Sequence, residues 1–291
     1  MKDFEYFRAK TAEEACTLMS RQGEGGKIVA GGQSLITLLR QKLMTPSYLV
    51  DIKGISDLEY IRFDDKKGLS MGGLTTHRAI ERSPVIRKNY PVLSDMEMSM
   101  TSVQTRNWGT IGGNLCCADP NGDAAPALIA LNARIKLLSL RGERTIPLQG
   151  FFTDTFATVI DPDELLTEIH LPPPAGHTGA VHMKFSTTES GIKVVSVSAL
   201  ITLDSGKRIC TDARIVMGAV APVPLNAERA GKHLSGKSIN ESLIEEAAQL
   251  AGEEADPASD VHASAEYRRE MAKVMVRRAV RAAFEKAKAA S

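Results

Sequence analysis

The sequence lacks the features that define several large classes of protein. Its 36 Lys and Arg residues are matched by 35 Asp and Glu, a formal net charge of +1, which gives no electrostatic case for nucleic-acid binding. No apolar run reaches the roughly 18 residues that a membrane-spanning helix needs. The N-terminal stretch MKDFEYFRAK mixes charges with aromatics and has no apolar core of a secretion signal. We therefore expect a cytoplasmic protein with no nucleic-acid partner and no membrane span.

Cysteine is scarce, with only Cys16, Cys116, Cys117 and Cys210 in 291 residues. So few cysteines in a chain of this length do not make a disulfide framework, which favours a reducing compartment. The adjacent pair Cys116 and Cys117 would point apart on an extended backbone, and the four thiolates of an iron–sulfur cluster are not grouped anywhere. We interpret the pair as small packing residues and predict no metal site.

Local catalytic motifs are also missing. The six histidines show no metal-ligand spacing, and no dinucleotide-binding glycine pattern of the Rossmann type follows a strand. Residues 231–238 fit the phosphate-binding P-loop pattern, but a polar, helical stretch precedes them where the motif requires a buried strand. We interpret that match as chance and assign no catalytic residue.

Hydrophobic periodicity predicts an α+β fold in two parts. A capping box at residues 11–14, short strands near 27–30 and 48–52, and a helix between these strands predict a small βαβ-like subdomain over about residues 1–56. A hairpin and further helices and strands predict a larger mixed α/β subdomain over residues 57–176. The proline-rich linker at 172–176 predicts a boundary, followed by a small C-terminal sheet-and-helix domain over residues 177–291.

Two glycine pairs indicate a phosphorylated cofactor. Gly31-Gly32 follows a predicted strand, and Gly112-Gly113 lies in a second predicted loop. Glycine permits positive φ and close backbone approach, and consecutive N–H groups in such turns bind anions. Further donors beside the pairs are Ser34, Thr110 and Asn114, while Asp123 is placed either to cap the next helix or to bind a sugar hydroxyl. Ordinary tight turns use the same residues, so the pairs alone leave both interpretations open.

The two segments together resemble a known family. AGGQSL at 30–35, QTRNWGTIGGN at 104–114 and ADPNGD at 118–123, in this order and spacing, are similar to the FAD-binding (medium) subunit of molybdenum hydroxylases. That family includes the medium subunits of carbon monoxide dehydrogenase and the flavin domain of xanthine dehydrogenase. The resemblance covers nearly the whole chain.

The resemblance implies a noncovalent FAD in the two-part N-terminal domain, with residues 1–176 as the FAD-binding domain. Both glycine segments would hold the pyrophosphate, Asp123 the ribityl–adenosine portion, and Leu166 and Lys184 would approach the adenine or the isoalloxazine. The cofactor-binding residues that it implies are Val29, Ala30, Gly31, Gly32, Gln33, Ser34, Leu35, Thr110, Gly112, Gly113, Asn114, Asp123, Leu166 and Lys184.

The resemblance also implies partner subunits. Molybdopterin would lie on a large subunit and two-iron two-sulfur clusters on a small one, in a dimer of heterotrimers, with electrons passing through FAD to an external acceptor. This sequence departs from the family pattern at Ser102, at Cys116 and Cys117, and at residues 186–190, where arginines are frequent. Two alternatives stay open: a stand-alone FAD-dependent reductase and a cofactor-free scaffold subunit.

Overall fold

A computed structural model describes residues 3–100, 102–187 and 192–290. The first sheet has three parallel strands in the order β1-β3-β2. The strands are β1 (Glu5–Arg8), β2 (Gly26–Val29) and β3 (Tyr48–Asp51), connected by helices α1 (Ala12–Gln22) and α2 (Leu35–Arg40). This is the predicted βαβ-like unit, and its central strand β3 is buried along its whole length.

Helix α1 shows why the first unit folds as the sequence predicts. The Thr11 side chain accepts from the Glu14 amide at 3.1 Å, and the Glu14 carboxylate accepts from the Lys10 amide at 2.7 Å. These bonds satisfy donors that the first turn of a helix leaves open. Ala15 and Met19 then pack on the sheet. Strand β2 ends at Val29, so the first glycine pair lies at the carboxyl edge of the parallel sheet.

The second sheet has five antiparallel strands in the order β4-β5-β10-β6-β7, and β8 pairs separately with β9. The strands are β4 (Ile61–Asp64), β5 (Gly68–Gly72), β6 (Arg134–Ser139), β7 (Gly142–Pro147), β8 (Phe152–Asp154), β9 (Ala157–Thr158) and β10 (Leu165–Leu171). The helices are α3 (His77–Arg82), α4 (Pro84–Asn89), α5 (Pro91–Ser99), α6 (Val103–Trp108), α7 (Ile111–Cys117) and α8 (Ala124–Ala130). The predicted hairpin is β4–β5.

Three of these helices were not predicted. Helices α4, α6 and α7 span six or seven residues each, too short for an apolar period to be visible in the sequence. Each begins at a side-chain cap, supplied by Ser83, Ser102 and Thr110 respectively. The Ser102 departure from the family pattern therefore has a local structural role.

The third sheet has four antiparallel strands in the order β11-β12-β13-β14. The strands are β11 (Thr178–Ser186), β12 (Lys193–Leu203), β13 (Cys210–Gly218) and β14 (Leu225–Asn226), followed by helices α9 (Glu228–Leu234), α10 (Glu241–Glu254) and α11 (Ala265–Ala289). Residues on one face of the sheet, such as Val195 and Val197, pack in an apolar core with these helices. The opposite face meets α8.

The segment that fits the P-loop pattern takes another form in the structure. Gly231 lies inside α9 with its amide bonded to the Ala227 carbonyl at 3.0 Å, so the first half of the motif is helix. A phosphate-binding loop would need those amides to be open to an anion. The interpretation of a chance match agrees with this geometry. Across residues 3–100, 102–187 and 192–290, none of the helices combines the length and apolar character needed to cross a membrane.

Candidate functional site

A cavity of about 950 Å³ lies where the three sheets approach one another. Its volume is at the upper end of the usual range for ligand and cofactor sites. Of the residues implied to bind FAD, those that line it are Ala30, Gly31, Gly32, Gln33, Ser34, Leu35, Thr110, Gly112, Gly113, Asn114, Asp123, Leu166 and Lys184. Val29 does not line it, because its side chain packs with Leu39 and Leu49 beneath the loop.

The first glycine pair forms an open cradle on the cavity wall. Gly32 has φ +74°, and no residue in the described part of the chain accepts a hydrogen bond from the amides of residues 31–34. A Cβ at Gly31 would overlap the Trp108 carbonyl oxygen, and one at Gly32 would lie 2.9 Å from the Ile36 side chain. Consecutive open amides around a positive-φ residue bind anions. A cofactor pyrophosphate fits this donor set.

The second glycine pair, Gly112-Gly113, is helical. The prediction of a loop with open, anion-binding amides at this pair was wrong. It lies in the first turn of α7, where the Gly113 amide donates to the Thr110 hydroxyl oxygen at 3.2 Å. The Gly112 amide donates to the Gly73 carbonyl at 3.0 Å, and a Cβ at Gly112 would lie 2.6 Å from that oxygen. These glycines allow close packing of α7. The polar groups left facing the cavity are the side chains of Thr110 and Asn114.

Asp123 is held by two lysines. Its Oδ2 lies 2.8 Å from the Lys184 Nζ, and its Oδ1 lies 3.1 Å from the Lys193 Nζ, which also donates to the Gly122 carbonyl at 2.8 Å. Asp123 immediately precedes α8, but its side chain makes no capping hydrogen bond, so of the two alternatives left open for Asp123 the structure does not show the helix cap. Burial raises the pKa of this carboxyl, but the nearby charges of Lys193 and Lys184 outweigh burial and hold it below its ordinary value.

Lys193 is a site residue that sequence reasoning missed. Its side chain is fully buried at the start of β12, and burial lowers the pKa of its ammonium. The one available signal was a lysine that opens the apolar run VVSVSALITL, because a lysine is rarely buried without a partner. Two lysines therefore face the Asp123 carboxylate at this end of the cavity, and Asp119, which also lines the cavity, adds a second negative charge near Lys193.

His182 lies on the same face of the third sheet. Its Nδ1 lies 2.8 Å from the Ser198 hydroxyl, and the two residues are cross-strand partners, as are Lys184 and Ser196. Burial lowers the pKa of His182 to about 4, so its imidazole is neutral at neutral pH. The lysines therefore carry the positive charge of this cluster.

The cysteine pair lies on the cavity wall. Cys116 is exposed and Cys117 is half-buried, and both line the cavity, so the interpretation of two packing residues was wrong. They reach the cavity because α7 turns successive side chains around its axis, whereas an extended backbone would have pointed them apart. Among the described residues, no group of three or more His, Cys, Asp or Glu is placed to hold a metal ion.

Another part of the cavity wall is held by an ion pair between the exposed Arg144 and the buried Glu164. Arg144 donates to both oxygens of Glu164, at 2.7 and 2.6 Å, and the Asp161 amide donates to the same carboxylate at 2.9 Å. Burial raises the pKa of Glu164, but these hydrogen bonds outweigh burial and hold it below its ordinary value. The pair fixes the start of β10, where Leu166 meets the cavity.

Comparison with known sequences assigns the chain to a family. Residues 2–174 match the family described as FAD binding domain in molybdopterin dehydrogenase, and residues 182–283 match the CO dehydrogenase flavoprotein C-terminal domain. The chain belongs to the FAD-binding medium subunits of the molybdenum hydroxylases. The family resemblance inferred from the glycine segments is thereby confirmed.

Individual members of this medium-subunit family match over nearly their full length. The carbon monoxide dehydrogenase medium chain of Afipia carboxidovorans is 35% identical, covering 98% of each chain. The 6-hydroxypseudooxynicotine dehydrogenase complex subunit alpha of Paenarthrobacter nicotinovorans is 34% identical, covering 98% of this chain and 96% of its own. The solved carbon monoxide dehydrogenase from Hydrogenophaga pseudoflava that lacks the Mo-pyranopterin moiety superposes with a TM-score of 0.95 at 31% identity, covering 98% of each chain.

This sequence departs from the family pattern at residues 186–190, and the structure describes only part of that segment. Residues 188–190 lie outside the described residues. On either side of them, Lys184 and Ile192 both line the cavity, and 47% of the Ile192 surface is exposed. Lys184 and Ile192 therefore bring the end of β11 and the start of β12 to the same wall of the site.

Proposed function

We propose that this chain is the FAD-binding electron-transfer subunit of a molybdenum-containing hydroxylase or dehydrogenase complex, with FAD bound noncovalently in the cavity between the three sheets. The observation that carries the proposal is the cradle of open amides at residues 31–34 inside a cavity of cofactor size. Medium chains of dehydrogenases that match this chain end to end support it.

Different residues of the cavity would bind different parts of FAD. The amides of residues 31–34 bind the pyrophosphate, and the side chains of Thr110 and Asn114 add polar contacts. The Lys184 ammonium and the Leu166 side chain, which also line the cavity, would approach the rings of FAD. FAD itself supplies the exchange between one-electron and two-electron transfer. The protein excludes bulk water and holds fixed charges near the cofactor.

The partners belong to the same proposal. Electrons would reach FAD from two-iron two-sulfur clusters on a small subunit, after oxidation of substrate at molybdopterin on a large one, in a cytoplasmic dimer of heterotrimers. Support comes from the names of the relatives, which are a medium chain and a subunit of a dehydrogenase complex. We also propose division into an FAD-binding domain at 1–176 and a C-terminal domain at 177–291, which is supported by sheets that do not cross residue 176.

The decisive experiment compares the chain alone with the chain co-expressed with its large and small partners. We expect the isolated chain to release FAD on denaturation and to oxidise no organic substrate. The complex, containing iron and molybdenum, should bleach its flavin absorbance when substrate is added. Isolated protein without any flavin after incubation with FAD would favour the scaffold alternative. Turnover by the isolated chain, free of iron and molybdenum, would instead establish a stand-alone flavoenzyme.

A further inference from the structure

A buried histidine–glutamate pair lies beside the proposed FAD site. His77 is the first residue of α3 and Glu97 lies in α5, with 3% and 0% of their side chains exposed. The His77 Nδ1 lies 3.0 Å from both carboxyl oxygens of Glu97 and is hydrogen-bonded to Oε1, while Oε2 has no aligned hydrogen-bond partner. The electron-transfer function as proposed above gives this pair no role.

Burial decides how the pair carries its protons. Burial raises the pKa of Glu97, and the charge of His77 acts to lower it. The more distant Asp123 raises this pKa and Arg106 lowers it. Neutral imidazole beside a carboxylate would leave a net negative charge in the interior, which is costly. Two arrangements are neutral overall: imidazolium with carboxylate, and imidazole with a carboxylic acid whose O–H donates to Nδ1. In both of them Nε2 carries a hydrogen.

The imidazole of His77 lies at the cavity wall, next to Gly109. His77 lines the cavity, and its Nε2 makes no hydrogen bond to any residue that the structure describes. Its ring lies against Gly109, where a Cβ would be 3.0 Å from the ring Cδ2 and 3.6 Å from Nε2. A Cβ on Gly31 would in turn lie 2.8 Å from the Gly109 Cα. One glycine therefore separates the imidazole from the cradle of open amides.

We propose that His77 is a cofactor-binding residue whose Nε2–H donates to a phosphate oxygen of FAD, with Glu97 as the positioning residue that keeps the hydrogen on Nε2. The inference rests on the proposed function and deepens it.

Ligand binding by the full-length apo chain tests the proposal, with FAD, ADP and riboflavin as probes. His77→Phe removes the donor and should weaken FAD and ADP by about 10- to 100-fold, the range for a hydrogen bond to a charged group. Riboflavin has no phosphate, and its affinity should change by less than about threefold. His77→Gln places an amide N–H near the position of Nε2 and should retain most of the affinity for ADP.

The matched control is His170→Phe, because His170 hydrogen-bonds to the Lys67 carbonyl and does not line the cavity, so this variant should bind FAD and ADP as the wild type does. The ³¹P resonances of bound FAD should shift between wild type and His77→Gln. The proposal is overturned if His77→Phe binds ADP normally, if it loses riboflavin as strongly as ADP, or if the phosphorus resonances do not move. If His77→Phe does not fold, the same comparison is made with His77→Gln and His77→Asn, of which only Gln reaches the Nε2 position. Wild-type protein that binds no FAD would refute the proposed function instead.

Discussion

Replacing Lys193 by Met tests the ion cluster at the base of the cavity. The Lys193 ammonium donates to Asp123 at 3.1 Å and to the Gly122 carbonyl at 2.8 Å, from a fully buried position. Methionine keeps most of the side-chain volume but removes the charge. Asp123 retains Lys184 at 2.8 Å, so no buried charge is left without a partner. We expect Lys193→Met to lower the free energy of unfolding by about 1–3 kcal/mol.

Asp123→Asn should be more harmful, because it leaves two cations facing each other without a carboxylate. Removing one partner of a buried ion pair costs about 3–5 kcal/mol. The double variant with Lys193→Met removes the more deeply buried of the two cations. It should therefore be more stable than Asp123→Asn alone, a non-additive result that reports direct coupling of the two groups.

Urea unfolding of the apo chain at neutral pH measures these differences, and FAD affinity is measured on the same samples. Lys286→Met is the control, since Lys286 is half-exposed and 3.8 Å from Asp95, a surface pair worth less than about 1 kcal/mol. An effect of Lys193→Met as large as that of Asp123→Asn, or additive effects in the double variant, would refute the reasoning. A loss of FAD affinity in Asp123→Asn with unchanged stability would show that the carboxylate binds the cofactor and holds no lysine.

Two further predictions follow from the site. Gly32→Val should give folded protein with little FAD, whereas the control Gly236→Val should keep its FAD. Both glycines have positive φ (+74° and +79°), but only Gly32 forms the cradle. The flavin absorbance of the purified proteins measures FAD occupancy, and full occupancy in both variants would exclude the cradle. His182 should weaken the protein in acid, because its pKa of about 4 lies below the ordinary 6.5 and the unfolded state then binds more protons. The contribution of His182 to the free energy of unfolding is complete above pH 6.5 and falls by up to about 3 kcal/mol toward pH 4. The variant His182→Asn should remove this pH dependence from urea unfolding curves measured between pH 4 and 6.5. If wild type and variant lose stability in parallel over that range, the lowered pKa of His182 is refuted.

Local chemistry made much of the fold predictable. The capping box at residues 11–14, the short strands of the first unit and the β4–β5 hairpin depend on neighbours within a few positions, and the structure has them where the pattern indicates. Strand β11 was not predicted because its residues alternate around the polar His182 and Lys184, and both interact with Asp123, about 60 residues away in sequence. The first glycine pair was recognisable because positive φ is a property of the local backbone.

Tertiary contacts decided which groups in the cavity are open to a ligand. The amides of the two glycine pairs look equivalent in sequence, but those at residues 112 and 113 are occupied by Gly73 and Thr110, while those at 31–34 have no acceptor in the described chain. Burial likewise gave Lys193 and Glu97 their altered pKa values, and these depend on desolvation by segments distant in sequence. A sequence motif specifies backbone conformation nearby, but the availability of each donor depends on what the folded chain packs against it.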